Sequence, residues 1–417
     1  MNIEQIGKLL NIEVTDQPEQ DVIDLLERGK DQVIDGKIKK GAIKSHKLNA
    51  SIILECDSRT KDKFTYNEFN DQIYIDDRCY EDHDTTEIEL WLHRVYGVRL
   101  GAQNVNDIII RQAKKNNFHP LKEYLNSLSW DGVCRLETLL QTYWGVEDTE
   151  LLREIGFRWA ISCVARALRA PVKVDTVLML VGPQGAYKSS SFRVLAGEEW
   201  FSDSHLDIMK KEAYELIHKS GVWIWEMAEN VTINKADNDT VKKFFGAEND
   251  LFRPSYGRNP VRRDRSLVLV STTNEQMFLT DTTGNRRFWP VIVGPIDLEG
   301  IQRDRDQIWA EAVHYLNNNE PHYLDAEMDL RLYEYQQQFV IKHPWTTAIE
   351  RLIEDYPEGF TNQEILQELG MSQTYKASND TQRQINAICY ELGRVYKKRK
   401  LERFKTPKYV WICQDNL

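Results

Sequence analysis

The chain has 417 residues, of which 41% are hydrophobic and 29% charged, with a net charge of -11. That length suggests two to three domains around a sizeable core, and the overall acidity excludes a protein that draws in nucleic acid by bulk charge, so any such contact must come from local patches. The six cysteines (Cys56, Cys79, Cys134, Cys163, Cys389 and Cys413) are scattered without a CxxC pair, which argues against a disulfide framework or a zinc site. The opening "MNIEQIGKLLNIEVTDQPEQD" has no long apolar stretch of the signal-peptide kind, and no run of about 18 apolar residues occurs anywhere. We therefore expect a cytoplasmic protein with reduced thiols and no membrane partner.

Residues 1–45 read as a short helix followed by an acidic loop. Within 46–115, "FTYNEFNDQIYI" alternates like a strand pair with a turn near Asn67 or Asn70-Asp71, and "TTEIELWLHRVYG" reads as a helix ending at Gly97. Residues 1–115 thus form an N-terminal accessory module. Residues 116–172 form a helical collar, interrupted at Asp131-Gly132 and stopped by Pro171. In 173–300 three apolar, β-branched runs, "VDTVLMLV", "GVWIWEM" and "RSLVLVSTTN", alternate with helical segments. Strand, loop, helix, strand is the pattern of a buried parallel sheet. Residues 301–343 form a helical connector. Beyond Pro344, "FTNQEILQELG" carries a capping box from Thr361 to Glu364. A second helix and a basic hairpin, "KKRKLERFKTPKYVWIC", complete 344–417 in the order of a winged-helix-like module. The fold class is therefore multidomain α/β: a P-loop ATPase core with a parallel sheet, an N-terminal mixed and helical region, and a C-terminal winged-helix-like module.

The stretch "LMLVGPQGAYKSS" (178–190) lies between the first buried strand and a helix, the context a phosphate-binding loop needs. Gly182, Gln184, Gly185, Ala186, Tyr187, Lys188, Ser189 and Ser190 would bind nucleotide. Backbone N–H groups would curl round the β-phosphate at the positive end of the helix. Lys188 would reach the β- and γ-phosphates, and the Ser189 hydroxyl would join a Mg2+ shell. Tyr187 stands where the loop pattern has Gly. With ordinary helical φ a side chain there costs little; with positive φ it carries strain on the order of 1–3 kcal/mol.

Downstream, "VWIWEMAEN" puts Glu226 at the end of an apolar strand and Glu229 three residues on. Carboxylates at strand C-terminal ends face the ligand crevice; one would hold Mg2+ beside Ser189 and the other polarise the attacking water, in an order the sequence leaves open. Asn274, ending "LVLVSTTN", could hold that water. In "DTTGNRRFWP", Arg286 or Arg287 could stabilise phosphoryl charge across a subunit boundary. "LFRPSYGRNPVRRDR" interleaves Arg253, Arg258, Arg262, Arg263 and Arg265 with Tyr256, a composition suited to single-stranded DNA. Lys397, Lys398, Arg399 and Lys400 lead the basic C-terminal hairpin, which would bind duplex DNA.

Taken together, "TYNEFN", "HPLKEYLNSLSWDG", "DTVLMLVGPQGAYKSSSFRVLAG", "GVWIWEMAE", "FRPSYGR" and "STTNEQMFLTDTTGNRRFWP" resemble the virulence-associated protein E family over roughly residues 60–300. That family is related to the superfamily 3 helicases of the AAA+ class. The resemblance implies ATP and Mg2+ as cofactors, Glu226 as the Walker B acid, Asn274 as sensor and Arg286 or Arg287 as the finger. It further implies a hexameric ring acting in phage or mobile-element replication, alongside host or phage replication proteins. Two departures stand out: Tyr187, and the lack of a recognisable primase module at the N-terminus. The expected activity is that of an ATP-dependent DNA helicase. Its rivals are an ATP-switched initiator with slow turnover and a DNA-binding adaptor with a degenerate ATPase fold.

Overall fold

The computed structural model describes residues 17–34, 37–227, 243–255, 259–279, 285–341, 343–371 and 378–414. After a short helix at Gln20–Asp24, Gln32–Ile34 (β1) and Lys37–Lys39 (β2) pair as an antiparallel hairpin where the sequence reads as acidic loop. Every β2 residue is exposed, so no buried face marks this hairpin in the pattern. Phe64–Asn67 (β3), Gln72–Ile75 (β4), Arg78–Cys79 (β5) and Asn117–Phe118 (β6) form a sheet in the order β5-β4-β3-β6. The Asn67↔Gln72 pair closes β3 on β4. In the turn between them Asp71 takes φ 56°, a conformation Asp tolerates better than most side chains. Helices Lys47–Cys56, Asp82–Tyr96 and Ala102–Ala113 bury Ile53, Ile88, Trp91, Val105 and Ile109 in a common core with Phe64 and Ile75. The second of these helices ends where the sequence places its stop, on Gly97 at φ 70°.

Helices Pro120–Ser127, Leu139–Trp144 and Glu150–Leu168 lead into Val177–Val181 (β7), buried along its whole length. Next come Phe201–Ser202 (β8), Ile224–Met227 (β9), the hairpin of Asn249–Phe252 (β10) and Val261–Asp264 (β11), Val268–Thr273 (β12) and Phe288–Ile292 (β13). β7, β8, β9, β12 and β13 form a five-stranded sheet, parallel throughout, in the order β13-β7-β12-β9-β8. Continuous apolar runs suit it, because helices Glu150–Leu168, Lys188–Ala196 and Leu298–Asn317 pack with these strands in one core. Trp159, Trp223 and Trp309 meet there, the last two with ring centroids 4.4 Å apart. Burying one large apolar side chain contributes roughly 1.5–3 kcal/mol. The key consequence is topological: β12 lies between the strand before the glycine loop and the strand that carries Glu226.

Helix Ala326–Gln336 lies within the helical connector that the sequence suggests for 301–343; among its residues only Leu332 and Gln336 are buried. Gln336 holds the entry to β13, donating to the carbonyls of Asn285 (2.7 Å) and Phe288 (2.6 Å).

The chain divides into two compact units, residues 1–276 with 281–338, and residues 277–280 with 339–417. In the second unit, Leu279 bridges Val340. Helices Thr346–Asp355, Asn362–Glu368 and Asn379–Glu391 precede the antiparallel pair Arg394–Arg399 (β14) and Lys408–Cys413 (β15). The capping box is formed as the sequence suggests, Thr361 and Glu364 each accepting from the other's backbone N–H. Ile349, Phe360, Ile365, Ile385 and Trp411 share this unit's core. Among the described residues no helix is long and apolar enough to cross a membrane.

Candidate functional site

The loop after β7 is built on two glycines and one unusual tyrosine. Gly182 N–H donates to the Thr273 carbonyl at 3.1 Å, tying the loop to the end of β12. A Cβ on Gly182 would lie 2.7 Å from Val293 Cγ2, so a larger residue would push the loop away from the end of β13. Gly185 takes φ 80°, and Tyr187 takes φ 59°, ψ 24° as N-cap of helix Lys188–Ala196. Of the two conformations open to Tyr187, the structure adopts the left-handed one, which costs a side-chain-bearing residue about 1–2 kcal/mol. Its ring is 63% exposed and gains little burial in return.

Lys188 is buried, and its ammonium donates to the carbonyls of Gly182 and Pro183 (both 2.8 Å) and to Asn274 Oδ1 (2.9 Å). The lysine and the residue ending β12 are thus brought together. The Ser189 hydroxyl donates to Glu226 Oε1 at 2.8 Å, and the Thr272 hydroxyl donates to the same oxygen at 2.6 Å. Glu226 is only 3% exposed, and its Oε2 has no hydrogen-bond partner among the described residues. A buried carboxylate oxygen without a donor is costly. A cation would satisfy it, and a hydroxyl beside a carboxylate is the hard-oxygen donor set that Mg2+ prefers. The residues present therefore fit the ion.

Thr272 was missed in the sequence. The signal available was period two: side chains two apart on a strand share a face, so Thr272 travels with Asn274. Ser271 and Thr273 take the other face, where Ser271 donates to the Met227 carbonyl at 2.9 Å. Gln184 is exposed, while Ala186 and Ser190 are half-buried along the loop and first helical turn. Ser191 anchors that turn, donating to the Lys188 carbonyl (2.6 Å) and accepting from Trp144 Nε1 (2.8 Å).

Arg286 and Arg287 form a 3-10 turn with Asn285 before β13. Phe288 pairs with Val177 at the start of β7, so both arginines stand at the end of the strands opposite the glycine loop. Arg287 faces Asp175, with Nε 3.8 Å from the carboxylate, and is mostly buried, whereas Arg286 is exposed.

The β10–β11 hairpin sorts its arginines into different roles. Arg253 and Arg262 are exposed. Arg263 pairs with Asp71 of the β3–β4 turn at 2.9 Å, and Tyr66 donates its hydroxyl to the same carboxylate. Arg265 is 1% exposed and makes a two-pronged pair with Asp250, both contacts at 2.7 Å. The Arg265 guanidinium also lies 4.1 Å from the Phe244 ring centroid. His218 Nε2 is 3.0 Å from Asp250. Burial alone would push the Asp250 carboxyl up, but the His218 and Arg265 contacts outweigh it and hold it below the usual range. Glu229, Tyr256 and Arg258 lie outside the described residues. On the second unit, Lys397, Lys398, Arg399 and Lys400 are all exposed.

The profile described as "Virulence-associated protein E-like domain" matches residues 125–341, just over half of the chain. The chain belongs to that family. The family domain contains the glycine loop, Glu226, the β10–β11 hairpin, Asn274 and both arginines; it leaves out β3–β6 and nearly all of the second unit. No curated protein matches the sequence. Among solved structures, "The apo structure of NrS-1 C terminal region (305-718)" has a TM-score of 0.49 at 11% identity, covering 84% of this chain and 95% of that one. "The A form apo structure of NrS-1 C terminal region-CTR" has 0.47 at 11%, covering 84% and 96%.

Proposed function

We propose that this chain is an ATP-dependent DNA helicase of the AAA+, superfamily 3 kind, acting in the cytoplasmic replication of a phage or other mobile element. The observation that carries the reading is Glu226. Its buried carboxylate takes a hydrogen bond from Ser189 of the loop and another from Thr272 of the intervening strand, and keeps one oxygen open. Lys188 and Asn274 meet beside it.

In this reading the loop N–H groups and Lys188 bind the phosphates of ATP. Ser189 and Glu226 would hold Mg2+, which when bound neutralises phosphate charge. Asn274 orients the attacking water, and Glu229 is the further candidate for polarising it. Arg286, exposed at the far strand end, acts as the finger of a neighbouring subunit in a hexameric ring. Arg253 and Arg262, with Tyr256 and Arg258, track single-stranded DNA. The second unit, read as a winged-helix module, engages DNA through Lys397, Lys398, Arg399 and Lys400. Host or phage replication proteins are the expected partners.

Tyr187 favours a second reading, an initiator switched by ATP with slow turnover, because a strained residue in the loop limits how freely it can rearrange. Steady-state ATPase rates with and without single-stranded DNA separate the two. The helicase reading expects stimulation by DNA and a loss of about 100-fold or more in Lys188→Ala, the scale on which removing one electrostatic stabiliser acts. ATP binding with turnover that no DNA stimulates would leave the switch.

A further inference from the structure

The C-terminal hairpin carries an aromatic column as well as charge. Cross-strand pairing sets Tyr396 opposite Trp411 and Lys398 opposite Tyr409, so all four share one face of the β14–β15 ribbon. The Tyr396 and Trp411 rings are 4.9 Å apart, and those of Tyr396 and Tyr409 are 5.5 Å apart and stacked at 27°. Exposure rises along the column, from 0% at Trp411 through 38% at Tyr396 to 56% at Tyr409. The inner end is fixed, because Trp411 lies in the unit's core and its Nε1 donates to Asn362 Oδ1 at 2.6 Å. The outer end is open.

The charge around it is predominantly positive. From Arg394 to Lys408, both included, stand eight Lys or Arg residues and one acid, Glu402, in a chain whose net charge is -11. Arg403 is used internally, on Glu358 and Glu364 and over the Tyr356 ring. Lys398 falls on the ring face of the ribbon, Lys400 follows one residue after the end of β14, and both are exposed.

We infer that Tyr409, backed by Tyr396, is a stacking platform for an unpaired base of single-stranded DNA, with Lys398 and Lys400 taking the flanking phosphates. A base laid on Tyr409 would extend a column of rings already stacked and anchored at Trp411, so little rearrangement is needed on the protein side. A duplex offers no free base face except at its ends, which makes this site selective for single strands. The inference rests on the nucleic-acid half of the proposed function and is independent of the ATPase half.

The test uses the full-length chain and fluorescence anisotropy with labelled oligothymidylate and with a covalently closed duplex circle as competitor. Tyr409→Ala, at an exposed position that leaves the core intact, should weaken oligothymidylate binding about tenfold or more and leave competition by the closed duplex unchanged. Tyr409→Phe, which keeps the ring, should bind like the parent. Lys398→Ala with Lys400→Ala should weaken single-strand binding and flatten its dependence on salt. If Tyr409→Ala binds oligothymidylate as well as the parent while the lysine variant does not, the platform is overturned and DNA binding by the hairpin stands. If neither variant changes binding, the hairpin has no part in holding DNA.

Discussion

Tyr187 concentrates the residue-scale question. A glycine at φ 59° would be unstrained, yet the chain places a large and mostly exposed ring there. Relief of left-handed strain, set against the greater freedom of glycine in the unfolded chain, should make Tyr187→Gly more stable by about 1 kcal/mol. We predict a higher thermal unfolding midpoint for that variant, with ATPase turnover raised as well. A lower midpoint would mean that the ring makes contacts worth more than its strain. Glu226 shows the complementary limit on reading a sequence. An acid at the end of an apolar strand was legible, but Thr272 as its second donor depended on which strand lies next to it.

At the scale of elements, the β10–β11 hairpin has an ordered base. Arg265 and Asp250 are buried together, with His218 on the same carboxylate. Removing one partner of a buried ion pair costs about 3–5 kcal/mol because the other charge is stranded. Asp250 titrates lower in the folded protein than in the unfolded chain, so its contribution to stability is complete above the unfolded value, about 3.9, and is lost as pH falls through the folded one. We predict that Asp250→Asn lowers the unfolding midpoint at neutral pH, and that the gap between parent and variant closes below about pH 4. A gap that stays constant into acid would show that Asp250 is not a charged partner of Arg265. The same hairpin is braced from the other side, where Arg263 meets Asp71. This charge run therefore has a core-facing, a turn-facing and a solvent-facing part, a division that composition alone does not reveal.

For the whole molecule, the position of the arginines is the strongest constraint on how a complete site could form. Arg286 lies at the strand end opposite the glycine loop of its own chain, and Arg287 is mostly buried with its Nε 3.8 Å from the Asp175 carboxylate. A finger from this turn would therefore serve a neighbour. We predict that Arg286→Ala and Lys188→Ala chains, each inactive alone, recover part of the ATPase activity when mixed, because some interfaces then join an intact loop to an intact arginine. Arg287→Ala should instead lower the unfolding midpoint. If the Arg286→Ala mixture stays inactive at every ratio, action across a subunit boundary is excluded for this residue.

The sequence by itself determined whatever depends on a few neighbouring residues: the buried runs of β7, β9 and β12, the glycine loop that enters a helix, the stop at Gly97, the Thr361–Glu364 capping box and the closing basic hairpin. Periodicity, glycine conformation and capping act over a few residues and leave their mark in order along the chain. Tertiary structure alone decided that β12 inserts between β7 and β9, and with it the meeting of Ser189, Thr272 and Glu226. It also decided the fates of Arg263, paired 192 positions away, and Arg265, paired 15 positions away. Strand order and ion-pair choice depend on which surfaces meet in space, and nothing in the local pattern of a strand or a charge run specifies its partner.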